Sequence, residues 1–313
     1  MKTTPVTKQD LQRSVLAVPP LARNADLSLN AAENARLVRY MEAGGVSSFL
    51  YGGNANLYHV PMAEFRSLFD MLSSVASAES WVIPSIGSDY GKLIEQAAIL
   101  RDYEFPTAMV LPQSGLATSA GIATGIRHAA DRAGRPLIAY IKAENYIDPA
   151  DLAALVNDGA VVAVKYGTVR VNPAEDDYLR GLTRAVDPSL IISGIGERPV
   201  ITHMRDFGLV GFTSGSVCLA PRLSMAILRA LLAGDHATAA GLRERFMAVE
   251  DLRDRHSPIV TLHDAVTLSG IADMGPILPL LSNLADPAVR KAVQEAATAL
   301  VAADDAEGRR AAA

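Results

Sequence analysis

The sequence has 313 residues, of which 50% are hydrophobic and 20% are charged, and its formal net charge is −5. This length suits one large α/β barrel of about 250 residues with an extension. Aromatic residues are scarce, which favours a core of small branched side chains. The mildly acidic balance has no basic stripe, and this argues against a nucleic-acid-binding protein.

Three features bear on location. No stretch approaches about 18 consecutive apolar residues, so we expect no membrane-spanning helix. Residues 1–10 are polar and lack the apolar centre of a signal peptide. Cys218 is the single cysteine and has no partner for an intrachain disulfide, which favours a reducing cytoplasm. We interpret Cys218 itself as a small buried hydrophobic residue.

Eight short apolar runs alternate with eight stretches of helical periodicity. The predicted strands are 14–18, 46–51, 81–84, 107–111, 136–140, 160–165, 190–193 and 209–213. The predicted helices are 31–43, 62–76, 89–103, 119–133, 149–156, 173–185, 199–206 and 221–233. Strict β-α alternation predicts a parallel sheet, and eight repeats predict its closure into a (β/α)8 TIM barrel.

The barrel is assigned to residues 1–233. Residues 234–313 are assigned to a C-terminal helical extension, because their helical stretches carry apolar faces that need a surface to pack on. Residues 302–313 are rich in alanine and charged side chains, and we expect them to form a frayed tail.

The sixth predicted strand ends in a lysine. Alternation places Lys165 on the same face as Val161 and Ala163, at the strand end where barrel active sites lie. Partial loss of water at this position would lower the pKa of the amine and make it available to attack a ketone, which forms a Schiff base. The alternative is a lysine whose ammonium group simply extends to water.

Tyr140 ends the fifth predicted strand, beside the sixth. Neighbouring parallel strands lie about 4.8 Å apart, so the phenol of Tyr140 and the amine of Lys165 can meet. A tyrosine there can carry protons while a carbinolamine forms and loses water. The alternative is a tyrosine that covers the barrel interior with its hydroxyl group bonded to a backbone carbonyl.

Loops after three other strands are candidate ligand contacts. Gly53 and Asn54 follow the second strand, where backbone N–H groups can turn toward a carboxylate, although an ordinary tight turn also explains them. Gly194 follows the seventh predicted strand, and Ser214 follows the eighth. Such loops bind phosphate in many barrels, so a phosphate-handling isomerase is a further reading. That reading leaves the position of Lys165 unexplained.

The histidines do not suggest a metal centre. The sequence has six of them, and they form neither an HExxH motif nor a cluster flanked by carboxylates. We therefore expect no metal dependence.

With these residues in place, the chain resembles the dihydrodipicolinate synthase / N-acetylneuraminate lyase superfamily over residues 14–284. The most specific stretch is residues 162–168 (VAVKYGT), which is similar to the Schiff-base strand G-[IV]-K-x-x-[ST] of that family. Further similarity lies in residues 15–20, 46–53, 139–140, 208–214 and 257–259. The resemblance implies Lys165 as nucleophile, Tyr140 as proton carrier, a covalent lysine imine instead of a cofactor, and a homotetramer or dimer.

Three departures from the family pattern concern the substrate. The loop that usually reads GTTGE is GNANL here, in residues 53–57, so the paired threonine hydroxyls are absent. The resemblance then leaves Gly53, Asn54 and Ala55 to hold a carboxylate, partly through backbone N–H groups. The tyrosine often found after strand four has no match in residues 111–115.

The third departure lies five residues after the tyrosine. Asn145 stands where the lysine-biosynthesis enzyme has an arginine for its second substrate, so we do not expect dihydrodipicolinate synthesis. Asn145, Gly194 and Ser214 are assigned to the distal part of the substrate.

The sequence is interpreted as a class I lyase, an aldolase or a dehydratase, that acts on a 2-oxo acid. For a polar pocket without arginine, a 2-keto-3-deoxy sugar acid is the first choice of substrate. An adduct of pyruvate with an aromatic or aliphatic aldehyde is the second choice, and it would make the protein a pyruvate-dependent hydratase-aldolase acting on non-sugar aldehydes. The alternative is a barrel that binds a 2-oxo acid without turning it over, and turnover of such a sugar acid would separate the two.

Overall fold

The computed structural model describes residues 1–113 and 115–311. Short parallel strands form its centre. In the described residues these are β1 (Leu16–Ala17), β2 (Ser48–Leu50), β3 (Trp81–Ile83), β4 (Ser85–Ile86), β5 (Met109–Val110), β6 (Leu137–Ile141), β7 (Val161–Tyr166), β8 (Ile191–Ser193) and β9 (Thr213–Ser214). The third predicted strand is split into β3 and β4, so later labels run one ahead of the predicted strand numbers.

The strands form two sheets, in the orders β3-β2-β1-β9 and β4-β5-β6-β7-β8. The two sheets adjoin at two places. The first is Pro84, which has no N–H group to donate but accepts a bond from the Met109 N–H at 2.9 Å. The second is a parallel bridge between Ser193 and Phe212. Eight strand positions therefore complete a (β/α)8 TIM barrel, and the predicted fold class is confirmed.

Helices follow the strands as predicted. The barrel helices are α2 (Ala31–Ala43), α3 (Phe65–Ser74), α4 (Tyr90–Leu100), α5 (Ser119–Ala133), α6 (Pro149–Asn157), α7 (Asp177–Ala185), α8 (Val200–Phe207) and α9 (Pro221–Leu232), preceded by α1 (Lys8–Arg13). Their starts follow local chemistry: the side chains of Asn30, Asp89 and Thr118 each accept a bond from the N–H three residues on.

The eighth strand is shorter than the sequence predicted. Residues 209–213 were expected, but β9 begins only at Thr213. Val210 and Gly211 form backbone bonds with β8 on one side. On the other side, pairing with β1 begins where the Leu16 N–H donates to the Phe212 carbonyl at 3.0 Å. This strand therefore has hydrogen-bonded neighbours on both sides only from the position of that bond onward.

The C-terminal part is helical and packs on the barrel. Its helices are α10 (His236–Arg243), α11 (Met247–His256), α12 (Pro258–Leu268) and α13 (Pro287–Ala311). The last of these packs against α9, α11 and α12. Whether a domain boundary lies at residue 233 stays a prediction. No described helix combines the length and apolar character needed to cross a membrane.

The expected frayed tail from residue 302 is wrong, because α13 continues to Ala311. Asp304 explains the order. Its carboxylate is fully buried and accepts bonds from the Leu223 N–H at 2.8 Å and from Arg222 Nη1 at 2.9 Å. The tail thereby satisfies an N–H group at the start of α9 that the helix itself cannot satisfy.

Candidate active site

The structure brings Tyr140 and Lys165 together at the carboxyl ends of β6 and β7. The two residues are direct register partners. The Nζ atom of Lys165 lies 4.0 Å from the centroid of the Tyr140 ring. Each strand continues one residue beyond its predicted end, to Ile141 and Tyr166. The alternation argument held because the pleat of a strand has a period of two residues.

The Lys165 amine is held in an environment that favours its neutral form. The residue is only 5% exposed. Burial lowers the pKa of Lys165 to about 7, and the positive charge of Lys142 acts in the same direction. Near neutral pH, a substantial fraction of the amine is therefore unprotonated and nucleophilic.

The Tyr140 ring fits because residue 167 is a glycine. A Cβ atom at Gly167 would come within 2.8 Å of Tyr140 Cε2 and 3.2 Å of its hydroxyl oxygen. Burial raises the pKa of the Tyr140 phenol, and its interaction with Tyr58 acts in the same direction. The phenol therefore stays protonated and can serve as a proton donor.

A cavity of about 280 Å³ opens on Lys165 and Tyr140. Of the predicted substrate contacts, Gly53, Asn54 and Gly194 line it. At Gly194 a Cβ atom would come within 2.6 Å of the Tyr166 carbonyl oxygen and 3.0 Å of Lys165 Cγ, so a side chain there would crowd the lysine.

Three predicted contacts lie outside the cavity wall. Ala55 is buried beneath the surface, and Asn145 is exposed on the loop after β6. The Ser214 hydroxyl donates to Glu197 Oε1 at 2.6 Å and accepts from the Val217 N–H at 2.9 Å. These bonds turn the Ser214 side chain away from the cavity.

The expectation of a pocket without arginine is wrong. Glu250 and Arg253 of α11 line the cavity, and both are at least nine-tenths buried. Arg253 Nη1 donates to Glu250 Oε1 at 2.7 Å, and the Ser216 hydroxyl donates to the same oxygen. The sequence carried a signal, because residue 253 continues the apolar helical face through Phe246 and Val249. A charged residue on such a face needs a buried partner.

Behind this pair lies a second buried carboxyl group. Glu197 is fully buried, and its Oε1 accepts bonds from the hydroxyls of Ser214 and Ser224. Burial and the charge of Glu250 raise the pKa of Glu197 to about 7. For Arg253, burial alone would lower the pKa, but the charges of Glu250 and Glu197 outweigh it and raise the pKa.

Sequence reasoning also missed Lys142 and Tyr58, which line the same cavity. Lys142 follows Tyr140 by two residues, so strand alternation places both on one face. Tyr58 lies in a short 3-10 turn, Leu57–His59, and its position depends on the loop after β2. Periodicity alone does not predict that loop.

Residues 13–296 match the model of the dihydrodipicolinate synthetase family. The chain belongs to this family. The resemblance stated from the sequence is therefore confirmed, and with it the membership in a family that includes lyases and dehydratases.

Two relatives in the family come from Streptomyces coelicolor. The protein named probable 5-dehydro-4-deoxyglucarate dehydratase 1 is 25% identical over 290 residues, which cover 87% of this chain and 87% of the relative. The protein named probable 5-dehydro-4-deoxyglucarate dehydratase 2 is 23% identical over 288 residues, which cover 90% of this chain and 86% of the relative.

Solved structures share the fold. Dihydrodipicolinate synthase from Oceanobacillus iheyensis superposes with a TM-score of 0.79 at 20% identity, over 93% of this chain and 97% of the other. N-acetylneuraminate lyase from Mycoplasma synoviae superposes with a TM-score of 0.78 at 14% identity, over 94% of this chain and 100% of the other. At these identities the likeness establishes the barrel fold alone.

Two further observations delimit the site in this family member. A second cavity, of about 700 Å³, lies along α4 and α5, and neither Lys165 nor Tyr140 is among its described lining residues. Within residues 1–113 and 115–311, no three His, Cys, Asp or Glu side chains are grouped so that they could hold a metal ion.

Proposed function

We propose that this family member is a class I lyase that forms a Schiff base through Lys165 and dehydrates a 2-keto-3-deoxy sugar acid. One observation carries the proposal. The Lys165 amine is buried, has a pKa lowered to about 7, contacts the Tyr140 ring, and opens onto a cavity of about 280 Å³. An amine in this state is suited to attack a ketone.

The first stage of the proposed reaction is imine formation. The Lys165 amine adds to the C2 carbonyl carbon, and the carbinolamine then loses its hydroxyl group as water. Tyr140 passes one proton from the amine nitrogen to the carbonyl oxygen and then gives its own proton to the departing hydroxyl group, which leaves the imine protonated and Tyr140 as a phenolate. Backbone N–H groups of Gly53 and Asn54 hold the adjacent carboxylate. The imine belongs to the lysine itself, so the proposal requires no cofactor or metal.

The second stage is loss of water from the substrate chain. The protonated imine withdraws electrons from C3, which gives a proton to the Tyr140 phenolate and leaves an enamine. The enamine electrons then expel the C4 hydroxyl group, which takes that proton back from Tyr140 and leaves as water. A water molecule finally hydrolyses the unsaturated imine and frees the Lys165 amine. The names of the two Streptomyces relatives, both dehydratases, favour this outcome over cleavage of the C3–C4 bond.

The first experiment is intact-mass spectrometry after incubation with pyruvate and sodium borohydride. We expect a reduced pyruvyl adduct on the wild-type protein and none on Lys165→Ala. Lys291→Ala is the matched control, because Lys291 is exposed on α13 and should leave the adduct unchanged. An adduct that persists in Lys165→Ala would contradict the assignment of the nucleophile.

A second measurement tests turnover. Incubation with 5-dehydro-4-deoxyglucarate should consume the substrate with loss of water. Trapping without turnover of this or other 2-keto-3-deoxy sugar acids would favour the binding-protein alternative. Formation of pyruvate and an aldehyde would instead establish aldol cleavage.

A further inference from the structure

Lys142 is a charged residue of the cavity wall to which the proposed reaction gives no role. Apart from the nucleophile, the other charged residues of this wall are engaged in ion pairs. Arg253 pairs with Glu250 at 2.7 Å. Asp254 pairs with Arg198 at 2.8 Å. The charges of these groups are therefore largely compensated within the protein.

The ammonium group of Lys142 has no such compensation. Within residues 1–113 and 115–311, no carboxylate lies at ion-pair distance from it. The acidic residue nearest to it along the chain is Glu144, which instead pairs with Arg170 at 2.8 Å. An uncompensated cation on the wall of a substrate cavity is a candidate contact for an anionic group of a ligand.

The place of Lys142 in the chain puts it at the mouth of the cavity. It follows Tyr140 by two residues and comes directly after the end of β6. Strand residues rise by about 3.3 Å each, so its backbone lies about 7 Å nearer to solvent than that of Tyr140. Exposure agrees with this placement, because Lys165 is 5% exposed whereas Lys142 is open to solvent. A group bound by Lys142 is therefore remote from the imine carbon.

The carboxylate next to the ketone is assigned to a different part of the barrel. Gly53 and Asn54 follow β2, and three strand segments, β3, β4 and β5, lie between β2 and β6 around the barrel. The loop after β2 and the residue after β6 therefore approach a substrate from different sides. Lys142 is available for the end of the substrate that Gly53 and Asn54 do not hold.

The charge of Lys142 also bears on the imine itself. It contributes to the lowered pKa of Lys165, so the two amines lie close enough for their charges to interact. At pH 8 most of the Lys165 amine is neutral. Formation of the protonated imine then releases one water molecule and takes up one proton from solvent. The reaction creates a positive charge near an uncompensated ammonium group, which opposes it.

We infer that Lys142 makes the stability of the imine depend on an anionic group at the mouth end of the substrate. A substrate that brings such a group pairs with Lys142 and removes the repulsion. A substrate without it forms its protonated imine against a like charge. This inference rests on the proposed function, because it concerns the imine at Lys165. Lys142 is a specificity-determining residue in this view.

The test uses 2-oxohexanoate and 2-oxoadipate, two six-carbon acids that differ at C6, which is a methyl group in the first and a carboxylate in the second. The concentration that gives half-maximal borohydride-trapped adduct is measured for each on the full chain, at pH 8, by intact mass. We expect the wild-type protein to be half-saturated by 2-oxoadipate at a concentration about 10-fold lower than by 2-oxohexanoate.

Lys142→Met should move the two acids in opposite directions. Loss of the like charge should lower the half-saturating concentration of 2-oxohexanoate about threefold. Loss of the partner should raise that of 2-oxoadipate about threefold, so that the two concentrations converge. Lys142→Arg keeps the charge and should keep the wild-type order. The matched control is Lys291→Met, because Lys291 is exposed on α13 and should leave both concentrations unchanged.

Two outcomes would overturn the inference and leave the proposed function intact. The first is a wild-type protein that is half-saturated by both acids at the same concentration. The second is a Lys142→Met variant that keeps the wild-type ratio of the two concentrations, which would limit Lys142 to its effect on the free Lys165 amine. Absence of any adduct on the wild type would instead overturn the proposed function and this inference with it.

Discussion

Tyr140 and Lys165 face each other across β6 and β7, with the Lys165 Nζ 4.0 Å from the centre of the Tyr140 ring. The group that the amine contacts is therefore an aromatic face and not a carboxylate. An aromatic face attracts a cation more weakly than a buried carboxylate does. Burial consequently dominates, and the pKa of Lys165 falls.

The rate of imine formation should depend on pH with an inflection near 7, the pKa of Lys165. Only the neutral amine attacks, so the rate of pyruvate trapping should rise with pH and be about 100-fold lower two pH units below the inflection. Lys142→Met removes a like charge, which should raise the pKa of Lys165 and move the inflection to higher pH. Trapping with cyanoborohydride between pH 5 and 9 measures both profiles. An unmoved inflection in Lys142→Met would contradict this electrostatic account.

Tyr140→Phe should separate proton transfer from packing. The variant keeps the ring beside Lys165 and loses only the hydroxyl group. We expect kcat for a 2-keto-3-deoxy sugar acid to fall about 100-fold or more, with slower but complete trapping on Lys165. Tyr103→Phe is the control, since its hydroxyl bonds Asp70 on the outer surface. Equal kcat values for wild type and Tyr140→Phe would remove the phenol from the mechanism.

Gly167→Ala should displace the Tyr140 ring. The added methyl group would come within 2.8 Å of Cε2 and would force the ring or β7 to shift. We expect a loss of about 1–3 kcal/mol in unfolding free energy and a fall in kcat. The comparison is Gly241→Ala, in α10, where nothing lies within 4 Å of the added Cβ and helix propensity favours alanine. Chemical denaturation and activity of both variants check this, and two equally stable variants would argue against it.

Glu197→Gln should flatten the pH dependence of stability. The pKa of Glu197 is raised to about 7 in the folded chain, so the folded state binds this proton more tightly than the unfolded state. The stabilisation is therefore complete below the unfolded pKa, about 4.3, and is lost as pH rises through about 7. Between pH 5 and pH 8, the unfolding free energy measured with urea should fall by about 1–3 kcal/mol more for the wild type than for Glu197→Gln. An equal fall in both proteins would contradict the raised pKa of Glu197.

Most of the barrel was predictable because its signals are local. Apolar runs of four to six residues alternate with helical periods, and strand alternation placed Lys165 and Tyr140 on facing positions. What shortened the eighth strand was a partner on only one side of residues 210–211. Pairing of this kind depends on the neighbouring strand, which a single segment does not encode.

The rest of the site was not predictable for a different reason. Arg253 reaches the cavity because α11 packs over the strand ends, and that placement depends on how the whole extension docks. Ser214 was expected at the ligand, but Glu197, 17 residues earlier, captures its hydroxyl group. Asp304 likewise orders the tail through contacts with α9 that are distant in sequence. In each of these three cases, contacts with residues distant in the sequence decide where the side chain lies.

The cavity draws its wall from two parts of the chain: the reactive amine from a barrel strand, and the Glu250–Arg253 pair from a helix that follows the barrel. The two parts are therefore free to diverge at different rates. Substitutions on one turn of α11 can alter which molecules are admitted while the amine and its tyrosine stay as they are. Over evolutionary time, the reaction can be inherited intact while its substrate is exchanged.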